Sequence, residues 1–253
     1  MIDGQPNLCA YIQNYGLLQE NKIIIQHSFD GLGDLLTLST IPELFSRMGK
    51  PVYVSSYQNF RNEGVRDLIL SNPFIQGIID EPGNLDPDLI FWFNKPTDDR
   101  KSYISKIEHS IFGEMFNKYP KIYYQPRFLP EWATKTFIDL NSVTHSYLHP
   151  KDHYLHYAKY YNTNCVTVDD YKTRDIFEYI DIMNSCQRFI CTFSGSSILA
   201  SALNRKNVDC LVTSPFMNDV IMGNIRHCRY EHYFPNINYI VIDSPDNNIT
   251  VEN

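Results

Sequence analysis

Apolar and polar positions along this chain fall into two alternating patterns. Short continuous apolar runs, Lys22-Ile23-Ile24-Ile25-Gln26-His27, Val52-Tyr53-Val54-Ser55, Phe74 to Ile79 and Leu89-Ile90-Phe91-Trp92-Phe93, have the make-up of strands buried on both faces of a parallel sheet. Between them, apolar residues recur at helical spacing. One helical pattern runs from a glycine turn through Leu44, Phe45 and Met48 and is closed by Gly49 and Pro51; another covers Glu63 to Leu70. A β-α-β-α-β series of this kind predicts a doubly wound sheet.

Residues 98–119 continue in a helical pattern, after which Pro120, Pro126 and Pro130 force an extended segment that reads as an interdomain linker. The predicted domains are 1–128 and 129–253. The second half repeats the alternation. Strands are predicted over 136–140, 165–168, 188–193 and 209–213. Helices are predicted over 150–161, 173–184 with Thr173 as its cap, and 196–203. The fold class is therefore α/β, with two Rossmann-like domains and no short-period repeat.

Composition narrows the function. The chain has 253 residues, is 43% hydrophobic and carries a formal net charge of -7, so it can bury a core and is poorly suited to gripping phosphate backbones as its main task. No continuous apolar run is long enough to span a bilayer, and the N-terminal residues do not read as a signal peptide, which predicts a soluble, cytoplasmic protein with no membrane insertion. Cys9, Cys165, Cys186, Cys191, Cys210 and Cys228 form no Cys-x-x-Cys pair, as expected of reduced core thiols without structural zinc.

Two stretches carry candidate chemistry. Phe29-Asp30-Gly31-Leu32-Gly33-Asp34 leads from a strand into a helix and places a carboxylate in the first helical turn, where exposed amides favour the anion that a general base requires. Gly31 and Gly33 would allow close approach of a ligand and unusual backbone angles. Thr192-Phe193-Ser194-Gly195-Ser196-Ser197 builds the same kind of turn in the second half and gathers amides and hydroxyls where a diphosphate could be held. Simple helix capping by serine is the competing reading. Leu36 replaces the third glycine of a dinucleotide fingerprint, which disfavours NAD.

Other clusters are weaker. Asp86-Pro87-Asp88 precedes a strand and reads as a proline turn. His153 and His156 share a helix face near His145 and His149, but no carboxylate or cysteine completes a ligand set. The many tyrosines could stack on sugar rings, and Arg226 or Arg229 could face a diphosphate, though a core role and a solvated loop are the simpler accounts.

Gly33-Asp34-Leu35-Leu36-Thr37-Leu38, Ser71-Asn72-Pro73-Phe74-Ile75, the helix of 175–186 and the Ser194 to Leu203 turn and helix occur in the order seen in heptosyltransferase-like glycosyltransferases of family 9, which this chain resembles in shortened form. The resemblance implies a GT-B arrangement, with an acceptor-side first domain and a nucleotide-sugar-binding second domain around a central cleft. It implies inverting, metal-independent transfer in which Asp34 takes the proton of an acceptor hydroxyl. Gly31, Gly33 and Thr37 then belong to the acceptor side, and Ser142, Lys151, Ser194, Gly195, Ser196 and Ser197 to the donor. No cofactor is implied beyond the nucleotide sugar, which is a substrate. Phe193 and Ile198 stand where the family carries an acidic residue and a histidine. The expected acceptor is a surface saccharide or other glycan, with a protein, a metabolite or, less favoured, a nucleic-acid base as alternatives. A nucleotide-using epimerase or hydrolase, and a catalytically degenerate nucleotide- or glycan-binding module, remain as other readings.

Overall fold

The computed structural model describes residues 16–17, 19–86, 103–141, 151–213, 234 and 236–242. The chain forms two compact units, 1–124 and 125–253.

In the first unit, β1 (Ile23–Ile25), β2 (Val52–Ser55) and β3 (Ile75–Ile79) pair in parallel in the order β1-β2-β3. Ile23 stands opposite Val52, and Val52 opposite Ile75. All three residues of β1 are buried, as its unbroken isoleucine run requires. The helices are α1 (Leu32–Leu36), α2 (Ile41–Arg47), α3 (Glu63–Leu70) and α4 (Tyr103–Phe112). Ile23, Ile25, Leu38, Ile41, Phe45, Val52, Ile107 and Ile111 make one core between sheet and helices.

The helical pattern from the glycine turn to Met48 is not one helix. Residues 37–40 separate α1 from α2, because Pro42 in the first turn of α2 has no N–H to continue α1's ladder. Buried Glu108 helps hold this break by accepting Thr40 Oγ1 at 2.7 Å. The helix predicted to reach Tyr119 stops at Phe112, since Gly113 adopts a φ of +76° and its N–H returns to His109 O. The strand expected at 89–93 lies outside the described residues.

The second unit holds β4 (Thr136–Asp139), β5 (Cys165–Thr167), β6 (Arg188–Thr192), β7 (Val208–Val212) and β8 (Asn238–Val241), all parallel, in the order β5-β4-β6-β7-β8. Helices α5 (Lys151–Tyr161), α6 (Ile176–Ser185) and α7 (Gly195–Ala202) connect them. Asp175, not Thr173, caps α6, its side chain accepting from Glu178 N. β8 has no counterpart in the sequence prediction; its outer position leaves it only partly buried and its apolar signal weak. The order places β4 beside β6, with the chain leaving β4 for β5 on one side and returning to β6 on the other. Such a strand-order reversal opens a crevice at the carboxyl ends of the two strands, where ligands bind in open α/β sheets.

Candidate functional site

Each unit contributes one strand-to-helix turn. In the first, the segment after β1 is tied to the loop after β2. Gln58 Oε1 accepts from His27 N at 2.5 Å, Gln58 Nε2 donates to Phe29 O at 3.3 Å, and Arg61 N donates to Asp30 O at 3.1 Å. The Arg61 guanidinium also donates to Asp30 Oδ1 at 2.8 Å. Ser28 Oγ donates to Asp86 Oδ2 at 2.8 Å, so Asp86 supports this turn, while Pro87 and Asp88 lie outside the described residues.

Asp34 occupies the first turn of α1 and is half-buried. Its Oδ2 lies 2.8 Å from the point a Cβ on Gly31 would take, and Arg61 Nη2 lies 3.7 Å from the same point. A side chain at position 31 is thus limited by the Asp34 carboxylate and not by conformation, its φ of -74° being open to any residue. Gly33 is likewise not in the left-handed region and is buried inside α1, which corrects the expectation of unusual angles at both glycines. Thr37, expected on the acceptor side, is 1% exposed and its hydroxyl donates to Asp34 O, so it braces the turn from within. At five residues, α1 contributes little dipole to the anion. Arg61 was missed from the sequence because only the folded loop brings it beside the turn.

In the second unit, β6 ends at Thr192 and α7 begins at Gly195, at the reversal between β4 and β6. The turn is a capping box: the Ser194 side chain accepts from Ser196 N, and Ser197 Oγ accepts from Ser194 N while donating to Ser194 O. Ser194 Oγ donates to Thr192 O at 3.2 Å. The hydroxyls of Ser194 and Ser197, expected to meet a donor phosphate, are therefore engaged inside the turn, and Ser197 is fully buried. Gly195 and Ser196 remain half-exposed at its rim.

Behind the rim stands Asp139, the last residue of β4, 7% exposed. Its Oδ2 accepts from Ser196 Oγ and from the Tyr179 hydroxyl, each at 2.6 Å, and its Oδ1 accepts from Asn141 N at 3.0 Å. Burial, then the neighbouring Asp139 charge and hydrogen bond, push the Tyr179 phenol well above its ordinary value, so it stays a proton donor. Asn141 Oδ1 in turn accepts from Lys151 Nζ at 2.8 Å, and Lys151 reaches Asp169 Oδ2 at 3.0 Å. The hydrogen bond and charge of Lys151 hold the exposed Asp169 carboxyl below its ordinary value. Ser196 and Lys151, both assigned to the donor side by sequence, are thus joined through Asp139 and Asn141, which sequence reasoning missed. An aspartate ending an apolar strand, Phe137-Ile138-Asp139, was the available signal. Ser142 lies outside the described residues, as do His145, His149, Arg226 and Arg229. His153 and His156 lie on α5, with His156 against the exposed Tyr160 ring at 6.3 Å between centroids.

No protein-family model matches the sequence, and no curated protein does. Solved structures resemble the fold. The dodecameric iron-containing glycosyltransferase TibC of enterotoxigenic E. coli H10407 superposes with a TM-score of 0.55 at 17% identity, over 86% of this chain and 62% of TibC. TibC in complex with ADP-D-beta-D-heptose gives 0.56 at 16% identity over the same shares. A glycosyl transferase of family 9 from Veillonella parvula DSM 2008 gives 0.49 at 13% identity, over 90% of this chain and 87% of that one. The chain has the α/β fold with parallel sheets found in TibC, in agreement with the GT-B class and the heptosyltransferase resemblance read from the sequence, and it spans about 62% of TibC's length.

One expectation is overturned. TibC is iron-containing, so a glycosyltransferase of this fold is not by nature free of a cofactor. Amides at a helix start can offset phosphate charge, but that leaves open a metal bound elsewhere in the fold. Among the described residues of this chain, no group of three or more His, Cys, Asp or Glu side chains is arranged to hold a metal ion, so these residues do not fit iron.

Proposed function

We propose that this chain is a heptosyltransferase-like glycosyltransferase, with an acceptor-side first unit and a nucleotide-sugar-binding second unit. The observation that carries the reading is Asp34, a half-buried carboxylate held over Gly31 by a turn braced from the β2–α3 loop, in a chain with the fold of TibC.

In this reading the acceptor is a glycan hydroxyl. Asp34 accepts its proton as the oxygen attacks the anomeric carbon; the bond from that carbon to the diphosphate breaks, the nucleoside diphosphate leaves, and configuration inverts. The rim of the β6–α7 turn, with the Gly195 amide at a helix start, offsets charge on the leaving diphosphate. ADP-heptose is the donor to test first, because TibC has been captured with it. Among the described residues no helix is long and apolar enough to cross a membrane. Cys165, Cys186, Cys191 and Cys210 are free thiols, which suits a reducing, cytoplasmic setting.

One observation favours a second reading, a nucleotide- or glycan-binding module without catalysis: the Ser194 and Ser197 hydroxyls are consumed by capping. Thermal shift of the chain against ADP, UDP, GDP, CDP and their sugar conjugates, with and without divalent cation and chelator, tests for the donor. Release of nucleoside diphosphate in the presence of glycan acceptors then separates the two readings, since only the enzyme turns over.

A further inference from the structure

The proton positions around Asp139 determine what the rim of the second turn can bind. Ser196 Oγ donates to Asp139 Oδ2, and the Tyr179 hydroxyl shares its proton between Asp139 Oδ2 at 2.6 Å and Ser196 Oγ at 3.0 Å. Oδ1 is taken by the Asn141 amide. A serine hydroxyl has one proton and two lone pairs. With its proton directed inward to a buried carboxylate and one lone pair facing the Tyr179 hydroxyl, half-exposed Ser196 keeps its other lone pair for the rim. It cannot then donate to a phosphate oxygen, and the carboxylate one bond behind it disfavours added negative charge. It suits a partner that brings its own O–H.

We propose that Asp139 is a specificity-determining positioning residue of the donor site: by fixing the Ser196 proton inward, it makes Ser196 Oγ the acceptor for a hydroxyl of the transferred sugar, while the adjoining Gly195 amide faces the diphosphate. The assignment rests on the glycosyltransferase reading and deepens it. It explains how one helix start discriminates a nucleotide sugar from the nucleoside diphosphate left after transfer. Before transfer the sugar hydroxyl meets Ser196. Afterwards that hydroxyl is gone and the diphosphate has gained charge near Asp139, so product is held less tightly than donor.

The test is calorimetric titration of the full chain with whichever of ADP, UDP, GDP and CDP binds it best, and with the matching sugar conjugate. Ser196→Ala is expected to weaken the sugar conjugate by about 3- to 10-fold, the value of one hydrogen bond, and to leave the nucleoside diphosphate within about 2-fold. Ser196→Thr, which keeps the hydroxyl, restores the conjugate. Asp139→Asn places an amide donor beside Ser196, turns its proton outward and removes the charge, so the nucleoside diphosphate binds about 3- to 10-fold tighter. A role in folding alone would weaken both ligands. Equal loss of both ligands in Ser196→Ala overturns the assignment, as does weaker diphosphate binding in an Asp139→Asn chain that melts like the parent. Should Asp139→Asn fail to fold, the Ser196→Ala and Ser196→Thr pair decides. If the parent chain binds none of these nucleotides or conjugates, the glycosyltransferase reading falls and this assignment with it.

Discussion

Gly31 and Asp34 occupy each other's space: the Asp34 Oδ2 lies 2.8 Å from where a Gly31 side chain would begin, closer than a real Cβ tolerates. The Arg61 guanidinium closes the same point from the other side at 3.7 Å. Because the carboxylate is the end of a rotatable side chain, Gly31→Ala is expected to swing it aside and leave the fold intact. The melting temperature should change little while sugar transfer falls by at least about tenfold, a loss typical of a misplaced reacting group. Transfer at the parental rate in that variant would reject the assignment of Asp34.

Asp34→Asn removes the base and keeps the shape. Transfer is expected to drop by about 10²- to 10⁴-fold, with nucleotide binding by calorimetry unchanged. An Asp34→Asn chain that still transfers sugar at full rate rules Asp34 out as the base.

The first unit should lose stability in acid through Glu43. This buried carboxylate on α2 accepts from Lys121 Nζ at 2.8 Å, from the Tyr123 hydroxyl at 2.9 Å and from Arg47. Burial pushes its carboxyl up, but the hydrogen bonds from Lys121 and Tyr123 and the charges of Lys121 and Arg47 outweigh burial and hold it below the ordinary 4.5. A carboxyl held low in the folded state adds stability that is full above its unfolded value and is lost as pH falls through its folded value. Melting followed from about pH 7 to about pH 3 should show a decline setting in near and below 4.5, and Glu43→Gln should flatten the first unit's share of it. A decline identical in parent and variant removes Glu43 as its source. Glu178 in the second unit is also held low, chiefly by the Arg174 amide, and with Asp169 and Asp170, which are lowered too, contributes to the residual slope.

Asp181, fully buried on α6, fastens the start of the second unit. It accepts from Arg127 N at 2.8 Å and from Arg127 Nε at 2.7 Å, and Ser185 Oγ takes the Leu129 amide at 2.8 Å. Asp181→Ala should free this segment and speed tryptic cleavage after Arg127 several-fold under native conditions, while Asp181→Asn, which keeps an acceptor, should give an intermediate rate. Equal rates in all three chains would show that the carboxylate does not hold the segment.

Local signals made the strands other than β8, and some of the helix limits, legible in the sequence. The isoleucine run of β1, the apolar β6 and the Ser194 cap declare themselves within a few neighbouring residues, because burial on both faces and orphan helix amides impose short-range patterns. Asp34 was legible for the same reason, as a carboxylate one turn past a strand. The division of residues 31–48 into two helices was less so, since the apolar spacing continues across the break and Pro42 fits the first turn of a helix as readily as an interruption. The function of the Ser194 to Ser197 hydroxyls also needed coordinates, because capping and phosphate binding call for the same residues. What only tertiary structure decided is the group around Asp139. Its carboxylate and the Ser196 hydroxyl are 57 residues apart in the chain and meet because β4 pairs with β6 instead of following the chain to β5 alone. Strand order is set by how whole apolar faces are buried together, a property of the assembled sheet that no stretch of neighbouring residues encodes.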